Sequence, residues 1–495
     1  MSHWDFVPRR TALSWILFLG LAFGLSVQST TPAVMAAEDK VPRLNVLLLV
    51  SDDQRPDTLS CLEASPCNTP HLDRLADRGT LMTRALAAYP ICTPSRAELL
   101  TGCHTFDNGV YDFGRKFRGG VPFWARTFSD AGYRTGYVGK WHNAGKPSDA
   151  GFAEAPGLYA GGGGRWFVDS VDWNGRPVTG YRGWIFQTEE RQFFPEKGVG
   201  LTRNISADFA DAAIGFIEQD QDRPFFLQVN FTAPHDPLLI PGGYETMYDW
   251  RDIPLPPNFL PQHPFDHGNY DGRDEQLFPW PRTPQVVREE LAAYYAVISH
   301  LDAQIGRILK SLDEAGQTHN TIVIFTSDHG LAVGSHGLRG KQNMYEHTVG
   351  VPLILAGPGV PVGQRFAAQC YLRDLFPTAC DLVGLTPPAD IQGKSLQPVL
   401  KGDQQEIHEL GFAYFRNVQR MIRTDRWKYA WYPEAKREQL FDLQQDPFEL
   451  SDLSQSPEHA DTLGKLRERM LTTQKAFGDP LAASAPPPGT ASADN

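Results

Sequence analysis

Four short apolar runs, each followed directly by polar side chains, constrain the fold of this chain more than any other feature. They span residues 44–50, 135–138, 225–229 and 321–325. Unbroken apolar runs of this length are typical of parallel strands that are buried on both faces. In open α/β sheets, ligands bind at the carboxyl ends of such strands. We therefore expect the polar residues that follow the four runs to meet at one edge of a sheet.

Helical stretches separate these runs, so strands and helices alternate along the chain. The clearest of them are residues 70–78, 123–131 and 287–315. Alternation of this kind indicates βαβ units. The predicted fold class is therefore α/β, with a mostly parallel central sheet sandwiched by helices.

The composition changes along the chain and predicts how it is divided. Residues 145–203 are rich in Gly, Trp and Arg, which favours an irregular insertion near the mouth of the expected site. After a larger N-terminal domain over 38–364, short alternating segments predict a smaller C-terminal α+β subdomain over 365–481, with an antiparallel sheet and a terminal helix near 459–476. The Pro-, Ala- and Ser-rich residues 482–495 predict a disordered tail.

The N-terminus has the pattern of a secretory signal peptide. Arg9-Arg10 precedes an apolar run over 13–27, and small residues follow over 33–37. The alternative is a membrane anchor, but the run is near the short limit for a spanning helix and a small-residue cleavage site follows it. We predict that residues 1–37 are a signal peptide and that the protein is exported, to the periplasm or the cell exterior, without stable membrane insertion.

The six cysteines are too few for a disulfide scaffold. An exported chain could nevertheless close the short loops from Cys61 to Cys67 and from Cys370 to Cys380. Those pairings would leave Cys103 and Cys92, and Cys92 has a sequence context of its own.

Acidic residues dominate the charge balance and the ends of two of the apolar runs. The formal net charge is −12, which argues against a nucleic-acid partner held by phosphate contacts and suits a bound cation better. Asp52 and Asp53 follow the first run, and Asp328 and His329 follow the fourth. Such an oxygen-rich set favours Ca²⁺, or Mg²⁺, over Zn²⁺. An Asp-Asp pair is more often a solvated turn or a helix cap, so this pattern needs support from elsewhere in the chain.

That support comes from the segment Cys92-Thr93-Pro94-Ser95-Arg96. Pro94 is placed to begin a helix, so residue 92 would lie at a helix N-terminus, where negative charge is stabilised. This position suits a nucleophile that attacks an anionic ester. A plain buried cysteine is the commoner alternative.

Together with the trailing Leu100-Thr101-Gly102, this segment resembles the signature of type I sulfatases, members of the alkaline-phosphatase-like superfamily. The resemblance extends over nearly the whole mature chain and includes Gly139-Lys140-Trp141-His142, Pro234-His235-Asp236 and Lys341. His329 and the run Asp53-Gln54-Arg55-Pro56 are similar to the iduronate-2-sulfatase and choline-sulfatase-like branches. The resemblance implies that a separate maturation enzyme oxidises Cys92 to formylglycine.

The resemblance also implies a role for each site residue. Asp52, Asp53, Asp328 and His329, together with residue 92, would hold the divalent cation, which neutralises sulfate oxygens and the nucleophile.

The remaining residues would handle the sulfate and the protons. Arg96 and Lys140 would stabilise the aldehyde hydrate and the sulfate, and one hydroxyl of the hydrate would attack sulfur and release the alcohol. His142 would take the proton of the second hydroxyl as sulfate is expelled. His235 and Lys341 would contact the bridging side of the sulfate, with His235 protonating the leaving alcohol. Taken singly, each of these lysines would more often be a solvated surface charge, and each histidine structural.

Two other functions compete with this interpretation. One is a formylglycine-dependent phosphonate monoester or phosphodiester hydrolase of the same superfamily, which tends to carry an amide residue in place of Asp53. The other is a non-catalytic glycan-binding protein that keeps the fold. Asp53 and the Gly-Lys-x-His run favour the sulfatase.

The substrate is the least constrained part of the prediction. Aromatic and Arg residues of the insertion suggest a sulfated carbohydrate, although simple loop packing would explain them equally well and a small ester such as choline sulfate is the other candidate. The insertion residues concerned are Trp166, Trp173, Trp184, Arg165 and Arg182. Further residues that could line the pocket are His104, His336, Arg339 and His347.

Overall fold

The computed structural model describes residues 44–219 and 222–484. Within these ranges the strands are β1 Asn45–Ser51, β2 Gly79–Met82, β3 Ala85–Leu86, β4 Arg134–Lys140, β5 Leu158–Gly161, β6 Ser170–Val171, β7 Pro177–Val178, β8 Trp184–Phe186, β9 Phe225–Asn230, β10 Thr321–Ser327, β11 Leu353–Ala356, β12 Gln364–Phe366, β13 Cys370–Tyr371, β14 Gly411–Phe415, β15 Gln419–Arg423, β16 Trp427–Tyr432 and β17 Arg437–Asp442. The α-helices are α1 Pro70–Asp77, α2 Cys92–Thr101, α3 Thr105–Asn108, α4 Trp124–Asp130, α5 Ile205–Ile217, α6 Pro284–Glu314, α7 Glu346–Val349, α8 Leu375–Val383, α9 Gln397–Leu400 and α10 Ala460–Ala476.

The four predicted apolar runs form adjacent parallel strands at the centre of a nine-stranded sheet. The strand order is β12-β2-β11-β10-β1-β9-β4-β5-β8. β1 pairs in parallel with β10 on one side, where Leu48 lies opposite Ile324, and with β9 on the other, where Leu48 lies opposite Gln228. β11 and β8 run antiparallel to their neighbours. The prediction of a mostly parallel central sheet is confirmed.

Helices cover both faces of this sheet, as the alternating side chains of β1 show. Leu47 and Leu49 point into the apolar core that contains α5 and α6, whereas Leu48 packs in the core on the opposite face, with α2, α4 and α8. All seven residues of β1 are buried. Burial on both faces is the physical reason for an unbroken apolar run.

The C-terminal part contains the expected antiparallel sheet. It is a meander in the order β14-β15-β16-β17, and α10 packs on it through Leu466 and Met470, beside Met421 and Ile422. β12 pairs with β2 and so brings residues 364–366 into the central sheet. The division of the chain between 364 and 365 stays a prediction, with a strand of the central sheet lying across it.

Three expectations need correction. The segment 145–203 is not wholly irregular, because β5 pairs in parallel with β4 and β8 pairs with β5, which lengthens the central sheet by two strands. Residues 482 and 483 of the predicted tail belong to a 3₁₀ helix, Pro480–Ala483, capped by the carboxylate of Asp479. All six cysteines are free thiols, so the loops from Cys61 to Cys67 and from Cys370 to Cys380 are not closed by disulfides.

The cysteines pack as separate apolar side chains instead. Cys67 is buried against the core that contains α6, while Cys61 lies half-buried in the 3₁₀ helix Ser60–Leu62. Cys370 is held in β13 and Cys380 in α8, each within the apolar core on the α2 side of the sheet. The predicted signal peptide over 1–37 lies outside the described residues, and among those described no helix is long and apolar enough to cross a membrane.

Candidate active site

The carboxyl ends of the four central strands bring the predicted site residues together. Asp52 and Asp53 directly follow β1, and Asp328 and His329 directly follow β10. Other polar residues follow the two remaining strands: Lys140 ends β4, with His142 two residues beyond it, and His235 lies five residues after β9. The four strands end at the same edge because they are parallel, so their polar residues share one site.

Cys92 lies at the centre of this site. It is the first residue of α2, as the position of Pro94 predicted, and its side chain is buried. Its Sγ is 3.5 Å from Asp52 Oδ1, 3.4 Å from His329 Nε2 and 3.5 Å from Lys341 Nζ. A helix N-terminus adds positive potential to the same point.

Buried cations compensate the carboxylates. Arg96 Nε donates to Asp328 Oδ2 at 2.9 Å, and Lys140 donates to Asp52. Lys341 Nζ donates to both oxygens of Asp53, at 2.7 and 3.0 Å. Burying such charges is costly unless each is paired, and each of these three cations has a carboxylate partner.

The acidic residues converge closely enough to bind one cation. One ligand atom from each of Asp52, Cys92, Asp328 and His329 lies within 4.8 Å of the others, and a second set replaces the last two with Asp53 and His235. Asp53 also approaches His329, with 3.3 Å between its Oδ1 and Nδ1. A set dominated by carboxylate oxygen fits a hard divalent cation.

The site lowers the pKa of Cys92 and of His142 and raises that of His235. Burial disfavours the thiolate of Cys92, but the charges of Lys140, Lys341 and His329 outweigh it, so the pKa of this thiol lies well below its usual range. Burial, reinforced by Lys140, lowers the pKa of His142 to about 4. Such divergent shifts within one cluster are typical of functional sites.

The pKa of His235 is raised for a different reason. Burial and the charge of Lys341 favour the neutral imidazole, but the carboxylates of Asp53, Asp236 and Asp52 outweigh them. His235 Nδ1 faces the main-chain oxygen of Asp236 at 2.6 Å, and its Nε2 is 3.9 Å from Asp53 Oδ2. The Asp236 contact fixes the orientation of the ring.

Two site residues have polar atoms without a hydrogen bond. The Nη1 and Nη2 atoms of Arg96 are buried and have no hydrogen-bond partner among the described residues, although Nη2 lies 3.6 Å from Asp52 Oδ2. His142 Nδ1 is also buried and has no hydrogen-bond partner among the described residues. The His142 ring packs between Phe113 and Trp184, with ring centroids 5.3 and 5.0 Å away. Buried polar atoms without a hydrogen bond are costly unless a bound ligand provides the missing partner.

Sequence reasoning missed Tyr181, which lies in the insertion. Its Oη donates to Asp52 Oδ2 at 2.6 Å. Its ring centroid is 5.1 Å from Lys140 Nζ and 4.8 Å from the centroid of the His235 ring. Nothing in its local sequence marks this role, because the pairing of β5 with β4, which brings the insertion beside the site, depends on distant residues.

A second layer behind His235 and Lys341 was also missed. Asp236 binds Arg273, and Asp274 Oδ2 lies 3.9 Å from Lys341 Nζ. Arg339 is a predicted pocket residue. Its Nη1 lies 3.8 Å from Asp236 Oδ1, and its Nη2 lies 2.9 Å from Glu290 Oε1. Asp236, which follows His235 in the Pro-His-Asp run, is the residue from which this layer could have been predicted.

The other pocket candidates lie in different surroundings. His104 stacks on Phe477 with ring centroids 4.7 Å apart, and His336 and His347 both stack on Tyr345.

Of the five insertion residues named in the sequence analysis, Trp184 is the one that packs on a site histidine. Trp173 donates to Glu290, Trp166 packs on Phe193, and Arg182 pairs with Asp169 at 3.1 Å. Arg165 lies over the Trp166 ring, at 5.2 Å. Packing within the insertion therefore accounts for three of these five residues, and Trp173 is held by α6.

Comparison with known proteins gives concordant matches. The family model named Sulfatase matches residues 44–385, and the model of the C-terminal region of N-sulphoglucosamine sulphohydrolase matches residues 334–476. The choline-sulfatase of Rhizobium meliloti is 30% identical to this chain over 466 residues, covering 89% of the chain and 86% of the relative.

Two solved structures share the fold with a TM-score of 0.71 each. One is a protein in complex with its substrate D-glucosamine-2-N,6-O-disulfate, which is 23% identical and covers 88% of this chain and 99% of its own. The other is a phosphonate monoester hydrolase from Silicibacter pomeroyi, which is 24% identical and covers 88% and 96%. At these identities the two structures establish the architecture alone.

Proposed function

The chain belongs to the sulfatase family and is a sulfuric ester hydrolase, and from this premise we propose that it removes sulfate from a sulfated carbohydrate, with residue 92 in the formylglycine form and a bound divalent cation. One observation carries the proposal. Cys92 begins a buried helix at the point where Asp52, His329 and Lys341 come within 3.5 Å of its sulfur.

The donor set fits the cation. Asp52, Asp53, Asp328 and His329 would hold it together with residue 92, and the predominance of carboxylate oxygen favours Ca²⁺ first and Mg²⁺ second. When bound, the cation supplies positive charge to the sulfate oxygens and the nucleophile.

The modification fits the position of residue 92. Formylglycine supplies a hydrated aldehyde, whose hydroxyl is the nucleophile and whose second hydroxyl allows sulfate to be expelled. A separate maturation enzyme would have to install it. Because the side chain of Cys92 is buried, we expect that enzyme to act before this segment folds.

The cationic side chains of the site hold the sulfate. The two Arg96 nitrogens that lack hydrogen bonds can donate to sulfate oxygens, and Lys140 and Lys341 place ammonium groups beside residue 92. Preorganised donors of this kind stabilise charge that develops during reaction without further reorganisation.

The two histidines divide the proton transfers. His142 lies beside residue 92 and would accept the proton of the hydroxyl there. His235 Nδ1 is engaged with the main chain of Asp236, which leaves Nε2 to protonate the oxygen of the departing alcohol.

A carbohydrate substrate is supported by the chain's likeness to sugar-sulfate relatives and by aromatic surface near His142. The matching C-terminal model is that of a sulphoglucosamine sulphohydrolase, and Trp184 and Phe113 flank the His142 ring. A small ester such as choline sulfate is the alternative within the sulfatases. The phosphonate monoester hydrolases share the fold, but Asp53 and the Gly-Lys-x-His run favour sulfate esters.

The test begins with mass spectrometry of the peptide that contains residue 92, from protein made in its native source. We expect the mass of the aldehyde or its hydrate, and an unmodified thiol would overturn the mechanism. Hydrolysis of 4-nitrophenyl sulfate should exceed that of a phenyl phosphonate monoester, and the reverse order would favour the phosphonate function.

Two variants complete this test. Cys92→Ala should abolish turnover and leave the fold intact. Cys103→Ala removes another buried thiol two residues beyond the end of the same helix and should retain activity. Substantial activity in purified Cys92→Ala would contradict the proposed nucleophile.

We further propose that the protein is exported. The support is the Arg9-Arg10 pair, the apolar run and the small residues that follow it. The N-terminal sequence of native protein should begin close to residue 38, whereas a retained residue 1 or 2 would contradict the prediction.

A further inference from the structure

A cleft of about 430 Å³ lies between the segment that follows α2 and the turn that joins β14 to β15. Its volume is in the range of small-molecule binding sites. Tyr89, Tyr111 and Tyr414 line it with aromatic rings, and Arg118 and Arg416 line it with guanidinium groups. The mechanism described above uses none of these residues.

The cleft adjoins the active site. Tyr89 is three residues before Cys92, and its Oη donates to the main-chain oxygen of Tyr111 at 2.6 Å. Two residues further on, the Phe113 ring lies 5.3 Å from the ring of His142. The chain from Tyr111 to Phe113 therefore connects the cleft with the histidine beside residue 92.

Two aromatic residues on this connection are partly exposed to solvent, with Arg115 lying 4.6 Å over one face of the Tyr111 ring. Tyr111 is 48% exposed and Phe113 is 46% exposed. Exposed rings offer flat apolar faces, and sugar rings present apolar C–H faces of matching size. A pyranose ring bound next to the sulfated one would cover this surface.

The charge around the cleft is opposite to that of the whole protein. Arg115, Lys116 and Arg118 follow Tyr111 in close succession, and Arg416 reaches the cleft from the opposite side. Asp112 also lines the cleft and pairs with Arg416 at 3.0 Å. In a chain of net charge −12, this local excess of positive charge is complementary to an anionic ligand.

We propose that this cleft binds an anionic sugar residue linked to the one that loses its sulfate. The inference rests on the proposed function, and it makes the substrate an oligosaccharide carrying at least one more sulfate or carboxylate group. Arg416 and Arg118 pair with that anionic group, and Tyr111 and Phe113 stack on the sugar rings.

Two variants test the cleft without touching the reacting groups. Arg416 has a φ of 43°, a backbone conformation that Asn tolerates, so Arg416→Asn removes the charge without added strain. Tyr111→Ala removes an exposed ring. The hydrogen bond from Tyr89 is kept, because its acceptor is the main-chain oxygen of residue 111.

The chain offers a closely matched control, Arg251→Asn. Arg251 is also exposed, lies 4.9 Å over the ring of the preceding Trp250 and pairs with Asp249 at 3.1 Å, but it does not line the cleft. Arg416 has the same features, lying 5.1 Å over the ring of the preceding Phe415 and pairing with an aspartate.

The experiment measures calorimetric binding of a heparin-derived tetrasaccharide and of its desulfated counterpart, and hydrolysis of 4-nitrophenyl sulfate. We expect Arg416→Asn and Tyr111→Ala each to raise the Kd of the sulfated tetrasaccharide about 10-fold or more, the size expected for one charged or stacking contact. Hydrolysis of the small ester should stay within about twofold of wild type, because that ester does not reach the cleft. Arg251→Asn should change neither quantity.

The outcomes separate the two proposals. If wild type hydrolyses the small ester but both variants bind the tetrasaccharide as wild type does, the cleft proposal is overturned and the proposed function stands. If wild type hydrolyses no sulfate ester while Arg416→Asn still weakens tetrasaccharide binding, the proposed function fails and the cleft remains a site for anionic sugars. Equal loss of binding in Arg251→Asn would show non-specific attraction and overturn the cleft proposal.

Discussion

Tyr181 and Asp52 form a buried hydrogen bond that could not be predicted from the sequence. Asp52 Oδ2 also takes a bond from Lys140, so the phenol helps to fix which oxygen remains free for a cation. Tyr181 therefore positions Asp52, a proposed metal ligand, without contacting the substrate. Its effect on the reaction can be separated from its effect on folding.

We expect Tyr181→Phe to lower kcat/KM about 10- to 100-fold, because a hydrogen bond to a charged group contributes about 1.5–3 kcal/mol. Steady-state kinetics and thermal unfolding, measured on the same preparations, check this. Tyr159→Phe is the matched control, since the buried Tyr159 hydroxyl has no hydrogen-bond partner among the described residues. Wild-type activity in Tyr181→Phe would remove the hydrogen bond from the mechanism.

Asp328 makes a second residue-scale prediction, about metal retention. Its Oδ2 accepts from Arg96, while Oδ1 accepts from the main-chain nitrogens of Asp53 and His329. Asp328→Asn keeps the shape but removes a negative charge that would hold the proposed divalent cation. We expect both metal content after dialysis, measured by plasma mass spectrometry, and turnover to fall.

Asp442→Asn is the control for that experiment. Asp442 is also a largely buried aspartate with an arginine partner, Arg426, but it lies in β17 of the C-terminal sheet. Its metal content should equal that of wild type. An unchanged metal content in Asp328→Asn would remove Asp328 from the ligand set.

At the scale of elements, the long buried strands of the central sheet could be predicted and the short strands of the insertion could not. The runs that became β1, β4, β9 and β10 are apolar on both faces, so their own composition specifies them. β5 pairs with β4 through only two residue pairs, Gly139 with Leu158 and Lys140 with Tyr159. A strand that short depends on its neighbour, and its Gly-rich sequence alone favours a loop.

β14 could not be predicted either, for another reason. Its five residues are all buried and do not alternate between apolar and polar, so periodicity cannot distinguish it from a buried turn of helix. Its place is fixed by distant contacts. Tyr414 N donates to Ala88 O, and Tyr414 Oη donates to Glu98 Oε1 in α2 at 2.9 Å.

The start of α1 depends on a side chain from α6. The N-cap residue Thr69 makes no side-chain cap. Asp302 provides one instead, since its Oδ1 accepts from the main-chain nitrogens of Leu72 at 2.8 Å and His71 at 3.1 Å. A capping carboxylate of this kind satisfies amides that a helix start leaves unpaired.

Asp302→Ala should therefore lower the free energy of unfolding by about 1–2 kcal/mol, the usual cost of losing a helix cap. Denaturant unfolding monitored by circular dichroism measures the loss. Glu314→Ala removes an exposed carboxylate from the same helix, where it pairs with the exposed Lys310, and should cost less. Equal losses in the two variants would contradict the capping role.

At the scale of the whole molecule, the C-terminal sheet is joined to the segment that carries Lys341. Glu346, five residues beyond Lys341, receives bonds from Arg423 of β15 and from Lys428 of β16. Lys428 also pairs with Glu449 at 2.7 Å. The site therefore depends on contacts from both ends of the chain. For this reason its residues could be predicted from the sequence, whereas the contacts that hold them in place could not.

Four buried histidines lie near this junction and couple the stability of the whole molecule to pH. Burial lowers the pKa of His263 to about 4 and those of His267 and His336 to about 3, and it holds the pKa of His347 well below its usual range. The folded protein keeps these rings neutral, whereas the unfolded chain protonates them near pH 6.5. Their contribution to stability is complete above pH 6.5 and is lost as pH falls from there toward 4.

His267→Phe tests this coupling, because neither ring nitrogen of His267 has a hydrogen-bond partner among the described residues. Between pH 6 and 4.5, wild-type unfolding free energy should fall with pH, and the slope in the variant should be smaller by about 1.4 kcal/mol per pH unit, the value for one proton. Denaturant unfolding at a series of pH values measures both slopes. His319→Phe changes an exposed histidine and is the control for the substitution itself. Parallel slopes for wild type and His267→Phe would show that His267 takes up no extra proton on unfolding, and the acid sensitivity of the protein would then have to arise from other groups.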